Sequence, residues 1–339
     1  MELKNGLFRG QTLGKARTRL LISLIALGAV LLLIVCGVVA LLLMKENRSG
    51  GASSLPSGDS SDVSNTPAVN LMFGYINVVD CGASPSDGKD DTEAFRQAAS
   101  FGQGLYVPAG EYHLSGTVEL NGQDIVGEGL ALTSIQGTSD ETLFRLIGNC
   151  RLVEMSLSYT NGTAERGEKT ATRIAPGEGG GLSPSVKNVQ FDQIGTAVFV
   201  ENGVTNGVRL EDLTISNFGY AGVVFDGSGH RGAILRSVFV EKSLSGASYG
   251  VELKGDEGTL LEQVTLSGCQ VKQGIRFDGS AGFSVKTVQF LDVQSDALMG
   301  GDKAAGRIGS VFVRNLDSDI LGFTNSRGGE IKPEYMVVR

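Results

Sequence analysis

Between residues 186 and 313 the chain repeats one pattern of apolar and polar positions about every 24 residues. In most copies the pattern reads apolar, polar, polar, apolar, polar, apolar, and its central apolar residues are spaced by 24, 25, 26, 24 and 23 positions. These central residues are Val189, Leu213, Val238, Val264, Val288 and Val311, and the apolar residues two positions later are Phe191, Ile215, Val240, Leu266, Phe290 and Val313. Alternation with a period of two predicts one short strand in each copy.

A second apolar stretch follows each of the first four copies, separated from it by Gly, Asn and other turn-forming residues. These stretches are residues 197–200, 222–225, 250–253 and 274–277, and fainter copies lie near Leu298 and Leu321. Each repeat therefore contains at least two short strands, and the Leu and Asn spacing of leucine-rich repeats is missing. A repeat of this length fits one turn of a parallel β-helix, in which equivalent residues of successive turns stack about 4.8 Å apart.

We therefore predict an all-β fold: a right-handed parallel β-helix, built as a single-stranded solenoid, with the two sets of apolar residues forming internal columns. The register also predicts an outward column, because one polar position alternates in charge from turn to turn. Its members are Lys187, Glu211, Arg236, Glu262 and Lys286. Stacked opposite charges favour this register over shifted registers that would place like charges together.

A different set of motifs precedes the repeats. Asp80-Cys81-Gly82-Ala83 is followed by the Asp-rich phrase 86–92, by Leu105-Tyr106-Val107-Pro108 and by Gly127-Glu128-Gly129. Within the Asp-rich phrase, Asp91 or Thr92 can cap a short helix that runs to about Phe101, with acidic residues near its positive end.

This order of motifs resembles the start of the pectate lyase-like domain of glycoside hydrolase family 28-related and rhamnogalacturonase/epimerase-like proteins, which also occurs in phage tailspikes. The resemblance covers about residues 77–325, and Cys81 stands where the family usually has an aromatic residue. It implies that the Asp-rich phrase and its helix close the end of the β-helix, and that the substrate class is polysaccharide. The N-T-D, D-D, G-H-G and R-x-K motifs of polygalacturonase-type members are absent from the central repeats, so a standard family 28 hydrolase is not expected.

Residues 20–44 form a run of 25 residues without a charged side chain. As a helix the run would be about 37 Å long, enough to cross a bilayer with some tilt. It is longer than the apolar core of a signal peptide, so we interpret it as a retained transmembrane helix. Basic residues predominate in the cytoplasmic tail 1–19. This bias predicts a single-pass protein of the cell membrane, with the N-terminus in the cytoplasm and the β-helix domain extracellular.

The composition changes twice after this span. Residues 45–67 are rich in Ser, Gly and Asp and predict a flexible linker, residues 68–325 form the predicted β-helix domain, and residues 326–339 a C-terminal tail or cap. A net charge of −8 argues against nucleic acid as a partner, because phosphate binding needs clustered Lys and Arg. The four cysteines show no metal-binding spacing, and no metal site is predicted.

Charged residues end the second strands of four successive repeats. They are Glu201, Asp226, Lys254 and Asp278, and we consider them candidate catalytic residues. In the predicted register Glu201 and Asp226 lie about 5 Å apart, and Asp226 and Asp278 about 10 Å apart. The first separation suits a retaining glycosidase, and the second lies at the wide limit for an inverting one. The alternative interpretation is a polar edge of alternating charge without a catalytic role.

Five neighbouring residues are candidate substrate-binding groups: Arg276, His230, Tyr220, Tyr249 and Glu252. The two tyrosines precede the second strands and offer stacking platforms for sugar rings in a chain without Trp. A Lys or Arg beside carboxylates also suits β-elimination from a uronic acid, in which case the acids would hold Ca²⁺. No other cofactor is predicted.

Three functions remain compatible with the sequence. The first is a membrane-tethered enzyme that acts on extracellular polysaccharide by hydrolysis, elimination or epimerisation. The second is a non-catalytic surface module that binds glycan or protein, and the third is an assembly component whose open sheet end pairs with another copy as a homo-oligomer. A Gly- and charge-rich break at residues 159–183 is long enough to overhang a groove.

Overall fold

The computed structural model describes residues 71–72, 74–177, 183–205, 207–315, 319–324, 326 and 331–339. In these residues the chain winds into a parallel β-solenoid of about ten turns, which confirms the all-β solenoid predicted from the repeat. The right-handed sense of the coil stays a prediction. Strands of successive turns belong to two sheets, and both sheets contribute inward side chains to one apolar core.

The first sheet contains 15 of the described strands, and its strand pairs are parallel except for the antiparallel pair at its N-terminal edge. In chain order these strands are β1 (Leu71–Met72), β2 (Tyr75–Asn77), β3 (Gly104–Val107), β4 (Gly110–Leu114), β6 (Ile125–Gly127), β7 (Thr133–Gly137), β9 (Arg151–Tyr159), β11 (Ser185–Asp192), β13 (Arg209–Phe218), β15 (Ile234–Ser243), β17 (Leu260–Leu261), β18 (Val264–Ser267), β20 (Ala281–Leu291), β22 (Ala305–Arg314) and β24 (Pro333–Val338).

The second sheet contains nine described strands, and all of its pairs are parallel. In chain order they are β5 (Val118–Asn121), β8 (Phe144–Ile147), β10 (Thr170–Ala175), β12 (Thr196–Val200), β14 (Ala221–Phe225), β16 (Tyr249–Lys254), β19 (Gln273–Asp278), β21 (Ala297–Asp302) and β23 (Asp319–Thr324). A 3₁₀ helix, Val78–Cys81, and one α-helix, α1 (Thr92–Ser100), complete the described elements.

The hydrogen-bonding register confirms both predicted internal columns. Val189 pairs with Leu213 between β11 and β13, Leu213 pairs with Val238 between β13 and β15, and the alignment continues to Val311. The column that starts at Phe191 is aligned in the same way over the same six turns. Every member of the first column is at most 1% exposed. Burial of each of these side chains stabilises the fold by about 1.5–3 kcal/mol.

The predicted outward charge column is confirmed as well. Glu211 lies between Lys187 and Arg236, whose nitrogen atoms are 3.9 and 3.5 Å from its carboxylate oxygens. Glu262 lies in the same way between Arg236 and Lys286, at 2.5 and 2.9 Å. Because these pairs are exposed, they contribute little to the free energy of unfolding and mainly distinguish the correct register from shifted ones.

One corner of the solenoid depends on left-handed backbone conformations. Six successive turns place a residue with φ between 50° and 59° at this corner: Gln193, Asn217, Lys242, Gly268, Asp292 and Asn315. The Asn217 side-chain amide also donates a hydrogen bond of 2.6 Å to Asp192 on the preceding turn. Asn, Asp and Gly, which adopt this conformation at the lowest cost, occupy four of these six positions.

Helix α1 packs against the 3₁₀ helix and β5. Phe95 of α1 is fully buried, and its ring meets that of Tyr112 edge to face, with 5.6 Å between centroids. Of the two predicted caps, Asp91 and Thr92, Asp91 occupies the N-cap position, but its side chain makes no capping hydrogen bond. Its carboxylate instead accepts hydrogen bonds from the backbone N–H groups of Ser84 and of His113 in β4.

Asp90 connects the start of α1 to Ser115, the residue that follows β4. Its carboxylate accepts hydrogen bonds from the backbone N–H groups of Thr92 and Ser115, at 3.0 and 3.1 Å, and from both hydroxyls. Burial acts to raise the pKa of Asp90, but the hydrogen bonds from Ser115 and Thr92 outweigh it and lower the pKa to about 2. These contacts give the Asp-rich phrase a structural role.

Two segments contain more regular structure than the sequence indicated. The predicted break at residues 159–183 includes β10, which pairs with β8 and β12, so its described irregular part is mainly the loop 160–169. The predicted tail or cap at residues 326–339 includes β24, which pairs in parallel with β22. Both strands extend the solenoid beyond the repeats that were visible in the sequence.

The predicted transmembrane helix at residues 20–44 and the predicted linker at residues 45–67 lie outside the described residues. Within the described part of the chain, no helix combines the length and the apolar character that crossing a bilayer requires.

Candidate functional site

The second sheet places the four charged candidate residues in one file, as the register predicted. Lys254 and Asp278 are direct partners between β16 and β19. The Asp226 N–H donates a hydrogen bond of 2.9 Å to the carbonyl of Val200, which sets Asp226 beside Glu201 on the neighbouring turn. We call these four residues the charged file.

The first two carboxylates of the charged file pair with different cations. Asp226 Oδ1 is 2.8 Å from Arg166 Nη2 and 3.7 Å from Lys254 Nζ. Glu201 binds Arg145 of β8, two turns earlier in the second sheet, with 3.4 Å between Glu201 Oε2 and Arg145 Nη2. The two carboxylates therefore pair with different cations, and neither hydrogen-bonds the other.

An aromatic cluster lies on the outward side of the same sheet, apart from the main core. It consists of Phe199, Tyr220, Ala221, Val224 and Tyr249. The rings of Tyr220 and Tyr249 meet edge to face, with 6.1 Å between centroids. Together with Glu252 and Arg276, which lie on the same side of β16 and β19, we call this surface the tyrosine face.

Arginine side chains cover the rings of the tyrosine face. The Arg166 guanidinium lies 5.3 Å from the ring centroid of Phe199 and 5.8 Å from that of Tyr220. Arg276 lies 5.2 Å from the centroid of Tyr249, hydrogen-bonds the Tyr249 hydroxyl and forms an ion pair with Asp278. Tyr220 and Tyr249 are each only 9% exposed, so the platforms expected for sugar rings are mostly covered in this conformation.

Glu252 is the buried carboxyl group of the tyrosine face. It aligns with Val224 of β14 and Arg276 of β19, and it is 5% exposed. The Tyr220 hydroxyl donates a hydrogen bond of 3.3 Å to its Oε2, and Arg166 Nη2 lies 3.8 Å from the same oxygen.

The environments of Glu252 and Asp226 shift their acidities in opposite directions. Burial raises the pKa of Glu252, although Arg166 and Arg276 act against this effect. The hydrogen bond from Arg166 lowers the pKa of Asp226, despite partial burial. Two carboxyl groups with divergent acidities on one surface are an arrangement that suits proton donation by one group and proton acceptance by the other.

Arg166 reaches these carboxyl groups from the loop 160–169. Glycines let the loop lie directly on the solenoid: a Cβ atom at Gly195 or Gly219 would overlap carbonyl oxygens of the loop backbone. Lys169 Nζ donates a hydrogen bond of 2.7 Å to the Asn161 carbonyl and closes the base of the loop. The loop thus holds a guanidinium group over the tyrosine face.

His230 does not reach the tyrosine face, which corrects the substrate-binding position expected for it. The residue is 1% exposed, and its ring packs edge to face against Phe225, with 5.5 Å between centroids. Nδ1 lies 3.0 Å from the Val204 carbonyl oxygen and Nε2 lies 3.1 Å from that of Asp226. Because both ring nitrogens face backbone carbonyls, the imidazole has no atom free to contact a sugar.

Sequence reasoning missed three arginines that shape this region. Arg145 of β8 and Arg173 of β10 are register partners, and Arg173 lies over Phe199 at 4.6 Å from its ring centroid. Extending the alternating repeat towards the N-terminus would have identified these two. Arg166 lies in a loop without periodicity, so no sequence signal marks it.

The donor atoms of this region do not suit the Ca²⁺ that was considered for a lyase. Calcium requires six to eight converging oxygen ligands. Among the described residues, no group of three or more His, Cys, Asp or Glu side chains is arranged to hold a metal ion. Asp226 and Asp278 face Lys or Arg nitrogens instead.

Comparison with known proteins agrees with the fold. A family model described as Rhamnogalacturonase A/epimerase, pectate lyase-like, matches residues 75–276. A putative phage-related protein, YobO, of Bacillus subtilis (strain 168) is 47% identical over 62 residues, which cover 18% of this chain and 8% of YobO.

Two solved structures share the architecture. The pre-mature gene product 12 of bacteriophage phi29 aligns with a TM-score of 0.57 and 15% identity, over 73% of this chain and 37% of that one. An N-terminal fragment of phi29 gene product 12 aligns with a TM-score of 0.52 and 14% identity, over 79% of this chain and 57% of the fragment. The chain therefore spans less than two thirds of the length of each relative, and the structural likeness shows the fold alone.

The family match runs from β2 to β19 and includes Arg166, Asp226 and Glu252. It covers more than half of the chain and coincides with most of the solenoid. The chain belongs to the Rhamnogalacturonase A/epimerase, pectate lyase-like family.

Proposed function

We propose that this protein is a membrane-anchored extracellular β-solenoid that acts on or binds polysaccharide through the tyrosine face. The observation that carries the proposal is the composition of that surface. Tyrosine rings, a buried carboxyl group and guanidinium groups lie next to one another on that surface. The chain also belongs to a family that is named after enzymes acting on polysaccharides. Sugar-binding sites combine apolar ring contacts with a few fixed polar groups in this way.

The membrane part of the proposal rests on the sequence. An apolar run at residues 20–44, followed by a polar linker at residues 45–67, would hold the solenoid outside the cell on a single span. Protease treatment of intact cells tests this topology. The proposal predicts that the solenoid is degraded and residues 1–19 are protected, whereas protection of the solenoid contradicts it.

A non-catalytic glycan- or protein-binding module, or an assembly component, is the second candidate function. The observation that favours it is that the carboxylates of the charged file are ion-paired, with distances similar to those of the charge column on the first sheet. Rows of opposite charges paired between strands also stabilise the surface of a solenoid that has no catalytic role.

Affinity electrophoresis in gels containing polygalacturonate, rhamnogalacturonan or dextran tests the proposed surface. Lys254 lies beside the tyrosine face and its side chain is 51% exposed, whereas Lys286 lies on the first sheet with 56% exposure, and each is paired with a carboxylate. We expect Lys254→Ala to reduce retardation of the full-length chain by several-fold and the matched Lys286→Ala to leave it unchanged. Equal effects of the two substitutions, or no retardation by any polysaccharide, would contradict the proposal.

A further inference from the structure

We propose that the loop 160–169 is an autoinhibitory strap: it closes the tyrosine face, and a polysaccharide occupies that face after the loop has opened. This inference rests on the proposed function and deepens it by naming how the surface is regulated. The loop connects β9 to β10, and its Arg166 side chain reaches the outward side of the second sheet.

Arg166 occupies the space that a sugar would need. Its guanidinium lies over Phe199 and Tyr220, at 5.3 and 5.8 Å from the ring centroids, and its Nε donates a hydrogen bond of 3.0 Å to the Tyr220 hydroxyl. With the loop closed, Tyr220 is only 9% exposed. A sugar that stacks on these rings needs the same ring faces, so loop closure and stacking exclude each other.

The solenoid surface under the loop is shaped for close contact with it. Two turns that lead from the first sheet to the second have a glycine where the loop backbone crosses them. A Cβ atom at Gly195 would lie 2.2 Å from the Glu168 carbonyl oxygen, and one at Gly219 would lie 1.8 Å from that of Thr163. Glycine permits this approach of one backbone to another, so the closed loop has a defined seat on the solenoid.

The contacts that hold Arg166 over the rings can break while the solenoid stays folded. Its ion pair with Asp226 measures 2.8 Å, and the Arg166 side chain is 38% exposed. Partly exposed ion pairs and ring contacts of this kind are weak. Gly167, with a φ of 88°, gives the chain beside Arg166 freedom to turn. The base of the loop is held separately, by the hydrogen bond from Lys169 to the Asn161 carbonyl.

An equilibrium between closed and open loop sets the apparent affinity of the tyrosine face. Because the closed form excludes the sugar, the apparent affinity falls in proportion to the fraction of molecules that are open. Fixing the loop in the closed form should therefore weaken binding, and loosening the loop should strengthen it.

A disulfide can fix the strap in its closed position. A Cβ atom at Gly246 would lie 3.7 Å from the Cβ atom of Ala164, a separation typical of disulfides. The variant is Ala164→Cys with Gly246→Cys in the full-length chain. Gly246 has a φ of 88°, so a side chain is strained there, and the reduced form of the variant carries the same strain as the oxidised form.

Affinity electrophoresis with polygalacturonate, rhamnogalacturonan and dextran compares the oxidised and reduced forms of this variant. We expect oxidation to weaken the apparent affinity at least about 10-fold, and reduction to restore it. Mass spectrometry verifies that the new bond joins positions 164 and 246, and the thermal midpoint shows whether both forms are folded.

Lys169→Ala loosens the strap without a change to the tyrosine face. Lys169 Nζ donates a hydrogen bond of 2.7 Å to the Asn161 carbonyl and lies 3.5 Å from Asp140 Oδ1. We expect this variant to be retarded several-fold more strongly and to show more carbodiimide labelling of Glu252, whereas Lys286→Ala should match the wild type. Weaker retardation together with unchanged labelling would overturn the strap.

The outcomes separate this inference from the proposed function. Equal retardation of the oxidised and reduced forms overturns the strap, while recognition at the tyrosine face stands. Absence of retardation for both the wild type and the reduced form overturns the proposed function. Labelling of Glu252 then still tests the strap, because it needs no polysaccharide: labelling that oxidation suppresses supports a loop that opens, and equal labelling of both forms overturns it.

Discussion

Arg166 Nη2 lies 2.8 Å from Asp226 Oδ1, although the two residues are 60 positions apart in the sequence. The contact forms because the loop 160–169 lies along the solenoid, where each further turn adds only about 4.8 Å. One side chain of the loop therefore reaches residues of later turns, including Glu252. This geometry couples the loop to the part of the second sheet that we propose as the functional surface.

Substitution of Arg166 by Ala is expected to expose Glu252. The guanidinium is one of the groups that cover the tyrosine face, so its removal should increase labelling of Glu252 by a carbodiimide and an amine, read by mass spectrometry. Arg145→Ala is the matched control, because Arg145 lies on the same sheet but binds Glu119 and Glu201. Equal labelling of Glu252 in all three proteins would show that Arg166 does not cover it.

Leu213→Ala tests the internal column. The side chain is 1% exposed, and truncation of a buried leucine leaves a cavity that lowers the free energy of unfolding by about 2–5 kcal/mol. Thr214→Ala, at the neighbouring outward position of β13, should change it by less than about 0.5 kcal/mol. Urea unfolding followed by circular dichroism measures both, and similar losses would argue against the alternation of inward and outward residues.

Asn217→Val tests the left-handed corner. The φ of Asn217 is 51°, and a β-branched residue in this region costs about 1–2 kcal/mol and also loses the hydrogen bond to Asp192. Asn217→Gly loses the same hydrogen bond without the backbone strain. We therefore expect the Val variant to be less stable in urea than the Gly variant, and the reverse order would contradict the corner geometry.

Asp256→Asn tests a buried acid outside the proposed site. Burial raises the pKa of Asp256 above its ordinary value of 3.8, although hydrogen bonds from Thr259 and the charge of His230 act against this effect. The stability gained from the protonated form is present below pH 3.8 and is lost as the pH rises through the raised pKa.

Because Asn carries no charge at any pH, the variant should lose less stability than the wild type between pH 4 and pH 7.5 in urea unfolding. Glu257→Gln, an exposed neighbour paired with Arg231, serves as the control. If the free energy of unfolding depends on pH in the same way in the wild type and in Asp256→Asn, ionisation of Asp256 does not destabilise the fold, which would contradict this prediction.

The repeat made the solenoid predictable, because every turn imposes the same inward and outward positions on the sequence. Val189 to Val311, the charge column from Lys187 to Lys286, and the charged file all follow from spacing alone. Turns with weaker repetition escaped detection, and β10 and β24 are the clearest cases.

Side-chain direction and loop placement were not predictable from spacing. The register places Glu201 beside Asp226, but the arginines that pair with these carboxylates come from another turn and from the loop 160–169. His230 is polar and follows the charged file in the sequence, yet two backbone carbonyls hold its ring inside the fold. Such contacts join residues that are far apart in the sequence, so the local sequence pattern does not predict them.

Hydrogen–deuterium exchange of the full-length chain, with and without saturating polygalacturonate, rhamnogalacturonan or dextran, tests most directly whether the tyrosine face recognises polysaccharide. The account predicts that at least one of these polymers changes exchange in the peptides that contain residues 160–169 and 249–254. Exchange in peptides of the first sheet, including residues 209–218 and 234–243, should stay unchanged. Protection confined to the first sheet, or no change with any of the three polymers, would contradict the account.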